Sequence, residues 1–273
     1  MNNELWGVTM VADEEDIMGY NLSHMFEQGV EKIIVANNLS TDNTAKVLDD
    51  MAWRYPGRLI VQQDDDPAHY QSRKITAMAE FAYKHGARFI IPFDADELWY
   101  AFDGETLHDA ICRHPKVQCI GVPMWNHFCT SKDDDTAVNP FKRMLWRTKE
   151  RNALDKIAVR FKPGMIIDEG NHMVRGIDGR FLSGAAVGLG IRHFPYRSAE
   201  HFIRKAERGG KALELAKGIP ETVGLHWRQY RQSIIEHGAE AVKEHYKRWF
   251  TAADPEAETS EVMYDPAPYK GLI

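Results

Sequence analysis

The first hundred residues alternate short apolar runs with amphipathic stretches, and few folds accommodate that order. Residues 6–11 (WGVTMV) form an apolar run that ends in Ala12-Asp13-Glu14-Glu15-Asp16, after which Ile17, Leu22, Met25 and Phe26 recur at helical spacing. Gly29 suits the C-terminal cap of that helix. Residues 32–36 (KIIVA) predict a second strand, followed by the polar turn Asn37-Asn38-Leu39-Ser40-Thr41-Asp42-Asn43-Thr44 and a helix over 44–55. Pro56-Gly57 stops that helix, 58–62 predicts a third strand, and Asp64-Asp65-Asp66-Pro67 turns the chain into a helix over 70–85. After Gly86, residues 88–93 (RFIIPF) read as a buried strand. Strands alternating with helices imply βαβ units, an α/β class with a mostly parallel sheet and a ligand crevice beyond the carboxyl ends of its strands. The polar clusters 13–16, 37–44 and 94–97 all fall at such ends, so one crevice receives all three.

Beyond Trp99 the pattern is less regular. Residues 107–112 predict a helix, 119–125, 144–147 and 165–167 predict strands, and 131–136 is a charged loop. Helical periodicity returns over 198–217 and 226–249, and the Pro-, Glu- and Asp-rich residues from 252 onward read as a flap or extended arm. With 273 residues, 44% of them hydrophobic, the chain can bury a substantial core in one main domain. A formal net charge of -6 excludes the broad basic field of a non-specific nucleic-acid binder. Cys112, Cys119 and Cys129 form no CxxC pair and no disulfide framework, which points to a reducing cytoplasm. Neither a signal-like N-terminus nor an apolar run of the roughly 18 residues a membrane span requires is present, so the expectation is a soluble protein, at most peripheral to a membrane.

Asp94-Ala95-Asp96 carries the chemistry. Two carboxylates one residue apart at the end of a buried strand can present oxygens to a hard divalent cation, which in turn neutralises a diphosphate. A bare DxD is also a common polar turn; its place after FIIPF and before Glu97-Leu98-Trp99 favours the functional reading.

VANNLSTDNT followed by RFIIPFDADELW resembles glycosyltransferase family 2, in particular the branch with a DADE motif. HFPYRSAEHFIRKAERGG (residues 193–210) and Gly170-Asn171-His172 resemble the same branch, so the likeness runs to about residue 215. The resemblance implies a GT-A, Rossmann-like catalytic domain over 1–197, with a nucleotide-sugar half (1–99) and an acceptor-side half (100–197). A helical extension over 198–250 and a flexible tail over 251–273 would follow. It further implies a metal-dependent, inverting transfer from a nucleotide-sugar donor, UDP-linked, with Mn2+ or Mg2+.

Residue by residue, the resemblance assigns Asn37, Asn38 and Asp42 to the nucleoside, and an amide can pair with a uracil edge as donor and acceptor. Ser40, Thr41 and Asp42 serve equally as a turn that caps the next helix. Where the family usually has Asn-Glu this chain has Asp13-Glu14, which leaves the role of Asp13 open. Gln71, Arg73 and Lys74 occupy a helix that in similar enzymes turns a polar or basic residue toward the donor. Asp96 is expected on the metal, and Asp94 on the ribose, the metal's waters or the metal itself. His193 matches the late histidine that many such enzymes return to the metal, and neutral imidazole suits a Mn2+-type site.

An inverting transfer needs a base near the acceptor hydroxyl, for which Asp168 and Glu169 are equal candidates; His172 is a base, an acceptor ligand or a loop anchor. Arg197, Arg204, Lys205, Arg208 and Lys211 form a basic run able to steer an anion, and Trp125, His127, Trp146, Trp227 and Tyr230 are available as aromatic platforms. The acceptor (glycan, lipid-linked saccharide, protein side chain or modified nucleic-acid base) leaves no signature, since acceptor contacts come from variable loops. Two other classes share parts of the pattern: a metal-dependent phosphohydrolase of haloacid dehalogenase type, and a non-catalytic nucleotide-sugar-binding module. The hydrolase places its DxD after the first strand of the domain, whereas three strand–helix units precede Asp94 here.

Overall fold

The computed structural model describes residues 4–273. Its first part follows the predicted order: β1 (Leu5–Val11), α1 (Met18–Glu27), β2 (Lys32–Asn38), α2 (Thr44–Arg54), β3 (Leu59–Asp64), α3 (Gln71–Lys84) and β4 (Phe89–Pro92). β1 pairs in parallel with β2 on one side and β4 on the other, and β2 pairs in parallel with β3. Both faces of these strands are covered. Leu5, Ile33, Val35 and Ile91 pack with Leu22 and Met25 of α1 and Leu48 and Met51 of α2, while Trp6, Val8, Ile34 and Ile90 pack with Ile75, Met78 and Ala82 of α3. Burial on two faces is why the strands read as continuous apolar runs rather than alternating ones. Each such aliphatic side chain contributes roughly 1.5–3 kcal/mol.

β5 (Glu97–Ala101) leaves the main sheet directly after the acidic motif, and α4 (Leu107–Cys112) follows. The single strand predicted over 119–125 is two strands, β6 (Cys119–Val122) and β7 (Met124–Thr130). Pro123, which has no N–H for a ladder, separates them, and they enter different sheets. α5 (Pro140–Arg143), β8 (Trp146–Thr148) and β9 (Lys156–Arg160) come next, then a ribbon of β10 (Ile166–Ile167) and β11 (Val174–Arg175), then β12 (Leu189–His193). β9 and β6 extend the main sheet to the order β3-β2-β1-β4-β9-β6, with β9 antiparallel to both its neighbours.

The chain closes with α6 (Ala199–Leu215), α7 (Leu225–His237), α8 (Ala239–Trp249), β13 (Thr251–Ala252) and β14 (Val262–Tyr264). The second sheet runs β14-β8-β7-β12-β5, with β13 on β7. The helix predicted over 226–249 is broken at Gly238, whose φ of 81° lies where L side chains are disfavoured. Residues 251–273, expected as a flexible tail, a flap or an extended arm, lie along the body. β13 and β14 pair with β7 and β8, Tyr269 and Ile273 pack against the core, and the Leu272 and Lys270 amides donate to Ser23 Oγ and His24 Nδ1. The acidic composition of the tail concealed these apolar anchors. Among the described residues no helix is long and apolar enough to cross a membrane, and Cys112, Cys119 and Cys129 are free thiols.

From β1 the chain steps outward through β2 to β3, then returns to the other flank of β1 at β4. This reversal is a topological switch point, and it opens a crevice beyond the carboxyl ends of β1 and β4.

Candidate active site

A cavity of about 640 Å³ fills that crevice. The strand-end loops form its floor and α6 and α7 its roof, with Arg204, Lys205, Arg208 and Trp227 facing downward from the helices. Three non-glycine residues have positive φ among those described: Asp13 (56°), Leu39 (51°) and Asn171 (57°). All three sit in loops of this site, where strained backbone commonly serves function.

Asp94 and Asp96 follow β4 and differ in their surroundings. Asp94 Oδ2 accepts from Lys156 Nζ at 2.6 Å, and Oδ1 accepts from Gln71 Nε2 at 3.2 Å and Asn171 Nδ2 at 3.3 Å. Lys156 also pairs with Glu97 at 2.7 Å, so one ammonium serves two carboxylates. Glu97 is fully buried, and burial pushes its carboxyl up despite Lys156. Asn21 Nδ2 holds the turn itself through the carbonyls of Ala95 (2.7 Å) and Glu97 (3.0 Å).

Asp96 is almost fully buried and has two partners: Lys205 Nζ at 2.5 Å from Oδ2 and His193 Nε2 at 3.6 Å from Oδ1. Burial would raise its carboxyl, but the Lys205 ammonium beside it holds it well below the usual range. Strand register explains how a histidine almost a hundred residues away arrives here. β12 is antiparallel to β5 with His193 opposite Glu97, and Phe194 N donates to Asp96 O at 2.8 Å.

His193 Nδ1 lies 2.8 Å from Asn126 Oδ1. With that amide oxygen as acceptor, Nδ1 carries the proton and the Nε2 lone pair faces the Asp96 carboxylate. Two electron-rich atoms facing each other fit a cation between them, and small hard cations complete such sites with waters and substrate phosphates. Asp96 and His193 therefore fit a divalent ion as a two-residue set. Asp94 is turned to Lys156, Gln71 and Asn171, and among the described residues no group of three or more His, Cys, Asp or Glu is arranged to hold a metal.

The loop after β1 is laced to the loop after β2. Asp13 Oδ1 accepts from Thr41 N at 2.6 Å, Asp13 Oδ2 accepts from Arg208, and Glu14 N donates to Thr44 Oγ1 at 2.9 Å. Asn38 lines the cavity, and its Nδ2 is spent on Asp64 Oδ2 (2.8 Å) and Asp66 O (2.7 Å). Asn37 is turned away, accepting from Ser40 Oγ at 2.6 Å. Asp42 caps the loop through Thr44 N (2.8 Å) and Glu15 N (3.1 Å), and it borders a neighbouring recess of about 230 Å³ rather than the main cavity. Lys74 is occupied by Asp64 at 2.6 Å and by the Asp66 carbonyl, and Arg73 pairs with Asp66; Gln71 is the α3 residue that reaches the cavity.

The third wall is the short turn Glu169–Asn171. Asp168 precedes it and is held by Arg175, Nη2 to Oδ2 at 3.2 Å. Glu169 lines the cavity, 3.3 Å from His69 Nε2. Gly170 N donates to Gln71 Oε1 at 2.9 Å, and His172 is anchored by Nδ1 to Asp155 O at 2.8 Å. Burial and Lys156 hold the His172 ring below its usual pKa, so it stays neutral.

Besides Arg204, Lys205, Arg208 and Trp227 of the roof, the sequence-predicted residues that meet in the cavity are Asp13, Asn38, Gln71, Asp94, Asp96, Glu169, His172 and His193. Lys156, His69 and Glu14 join them without having been singled out. Glu14 stood in the acidic loop; Lys156, in an ordinary strand sequence, carried no local signal. Arg197, 1% exposed, closes the seam behind them by pairing with Glu14 at 2.5 Å and Asp16 at 2.6 Å. Burial would raise the Glu14 carboxyl, but Arg197 and Lys205 hold it far below the usual range.

No protein-family profile matches the chain, and no curated protein matches it. Solved structures similar to it include TarS (residues 1–349) of S. aureus in complex with UDP, at 11% identity over 89% of this chain and 74% of that chain, with a TM-score of 0.37. Another is the mannosyltransferase PcManGT from Pyrobaculum calidifontis in complex with GDP-Man and Mn2+, at 17% identity over 90% of this chain and 75% of that chain, with a TM-score of 0.44.

Proposed function

We propose that this chain transfers a glycosyl group from a nucleoside-diphosphate sugar to an acceptor hydroxyl or amine, by direct displacement with inversion. The observation that supports the reading best is the meeting of Asp96 and His193 at the switch point, beneath a basic helix face and across the cavity from the Glu169 carboxylate. The motifs from 35–44, 88–99 and 193–210 that resemble glycosyltransferase family 2 all border this one cavity.

Asn38 lines the nucleoside end, where its Oδ1 is available to a base edge; a UDP-linked sugar is the first choice of donor. Asp96 and His193 are the residues that would hold Mn2+ or Mg2+, which when bound supplies charge neutralisation to the leaving diphosphate. Asp94 is held at a fixed distance from them by Lys156 and orients the donor through Gln71 and Asn171.

Glu169 is the proposed general base. It takes the proton as the acceptor atom bonds to the anomeric carbon and the bond to the diphosphate oxygen breaks. Asp168 fixes the loop through Arg175 and leaves Glu169 to the chemistry. His172, neutral and anchored, lines the acceptor side with Trp227.

A donor screen by thermal shift, with and without Mn2+, tests the reading, because a bound donor stabilises the folded state in proportion to its occupancy. Stabilisation by a nucleotide sugar, lost in Asp96→Asn, is the expected result. Release of phosphate from simple phosphomonoesters with no response to any nucleotide would place the chain among the hydrolases instead.

A further inference from the structure

Two buried carboxylates stand where the donor's diphosphate has to arrive. Side chains of Asp96 and Glu14 are 4% and 9% exposed. An anion cannot approach them unless positive charge lies between. Lys205 occupies that position: its Nζ is 2.5 Å from Asp96 Oδ2 and 3.4 Å from Glu14 Oε1, and its side chain is 25% exposed toward the cavity.

Arg204 also lines the cavity but pairs with neither floor carboxylate, and the other cations near the floor are consumed. Lys156 is 5% exposed and shared by Asp94 and Glu97; Arg197 is 1% exposed and shared by Glu14 and Asp16. Arg208 gives its guanidinium to Asp13 and to the carbonyls of Asn38 and Leu39. Lys205 differs in having spare capacity. An ammonium has three N–H donors, and here one makes a short contact while Glu14 at 3.4 Å and Pro195 O at 3.5 Å are long.

The geometry points to Lys205 as a donor-binding residue, an ammonium carried by α6 that receives the diphosphate and lets it bind with divalent ions removed. The inference rests on the nucleotide-sugar reading and deepens it. Asp96 and Glu14 then act on the donor through Lys205, as the two anions that hold the ammonium at the cavity floor. A divalent ion at Asp96 and His193 adds charge to a site that already has some.

Calorimetric binding of UDP, GDP and uridine in EDTA, repeated with Mn2+, tests this. The unaltered protein in EDTA is expected to bind UDP or GDP at least about tenfold more tightly than uridine, the scale of one charge-assisted hydrogen bond. Lys205→Met should erase that preference and Lys205→Arg should retain most of it. Equal affinity for UDP and uridine in EDTA overturns the proposal on the unaltered protein alone, whether or not Lys205→Met folds. So does Lys205→Met binding UDP in EDTA as the parent does. UDP bound only when Mn2+ is present sinks Lys205 as the receiving cation and leaves the transferase reading standing. No binding of either nucleotide under any condition sinks both.

Discussion

The acids of the cavity floor and the basic residues that pair with them come from different parts of the chain. Asp13, Glu14, Asp94 and Asp96 directly follow strands of the parallel sheet, within the first hundred residues. Lys156, Arg197, Lys205 and Arg208 come from β9 and from the start and body of α6, at separations of 62 residues for Lys156–Asp94 and 195 for Arg208–Asp13. The acidic side is positioned by strand geometry, which any parallel sheet supplies. Lys156 comes from β9 of the same sheet, whereas Arg197, Lys205 and Arg208 are positioned by a helix packed over it, so each of their ion pairs is also a clamp between floor and roof. Along α6 and the residue that leads into it, 197, 201, 205 and 208 follow helical spacing and present one charged or polar face to the floor. Charge pairing here joins two halves of the fold as well as preparing a site.

Breaking the clamp at its most buried point should have the largest effect. Arg197→Met removes the partner of two carboxylates and leaves Glu14 nearly buried without its main counter-charge. The expected cost is about 3–5 kcal/mol, read from urea unfolding. A loss below about 1 kcal/mol would mean that the roof is held by its apolar contacts, chiefly Phe202 with Val242 and Tyr246.

The contrast sharpens within a single loop, where Asp168 is paired and Glu169 faces the cavity. Glu169→Gln should lower kcat by about 10²-fold or more with KM for the donor little changed, the range for a lost general base. Asp168→Asn, by contrast, should act through loop stability and change kcat less than tenfold. Reversed outcomes in steady-state kinetics would exchange the two roles.

How much of this was legible follows from the same asymmetry. The strands β1 to β4 and the polar loops after them are local patterns, so the sheet, the switch point and the acidic floor could be read from residues in order. His193 was accessible through its motif, yet what sets it on Asp96 is the pairing of β12 with β5, a strand hidden in the tail of the DADELW segment. Lys156 was invisible because nothing in KIAVR says which carboxylate lies across the sheet. The resemblance made Asp42 and Lys74 look like ligands, but their partners, two loop amides and Asp64, are settled only by tertiary packing. The split of 226–249 at Gly238 and the docking of the tail were missed for a related reason: one glycine and two apolar anchors outweighed longer stretches of polar sequence.

The tail provides an uncharged seam for comparison with the ionic one. His24 is buried, which pushes its pKa down to about 4; Nε2–H donates to Trp99 O and Nδ1 accepts from Lys270 N at 2.9 Å. The folded pKa lies below the unfolded value near 6.5, so between the two the unfolded chain binds more protons and stability rises with pH. Acidification from pH 7 to pH 5 should therefore cost about 2 kcal/mol at this residue. Opening of the tail frees Nδ1 to take up that proton, so the Lys270 amide should lose hydrogen-exchange protection ahead of the core strands, after correction for intrinsic rates. The ionic seam should respond to salt over this range and the tail should not. Loss of protection at both seams together would show that they form one cooperative unit.

The smallest expected effect separates a capping carboxylate from a ligand. Asp42 accepts from Thr44 N and Glu15 N, and its own amide donates to Asp13 Oδ1 at 3.3 Å, so it ties the loops after β1 and β2 at the start of α2. Asp42→Ala removes both acceptors but opens no core cavity, and the loss of one such cap costs about 1 kcal/mol. Because Asp42 borders the smaller recess, UDP affinity should change less than about twofold once the fraction folded is taken into account. A tenfold weakening of UDP at unaltered stability would return Asp42 to the ribose. It would also mean that the two recesses join when the donor binds, with Asp13 moving at its strained φ to open the way. The two measurements move in opposite directions under the two roles, which makes this least disruptive substitution the finest test of where the acidic floor ends.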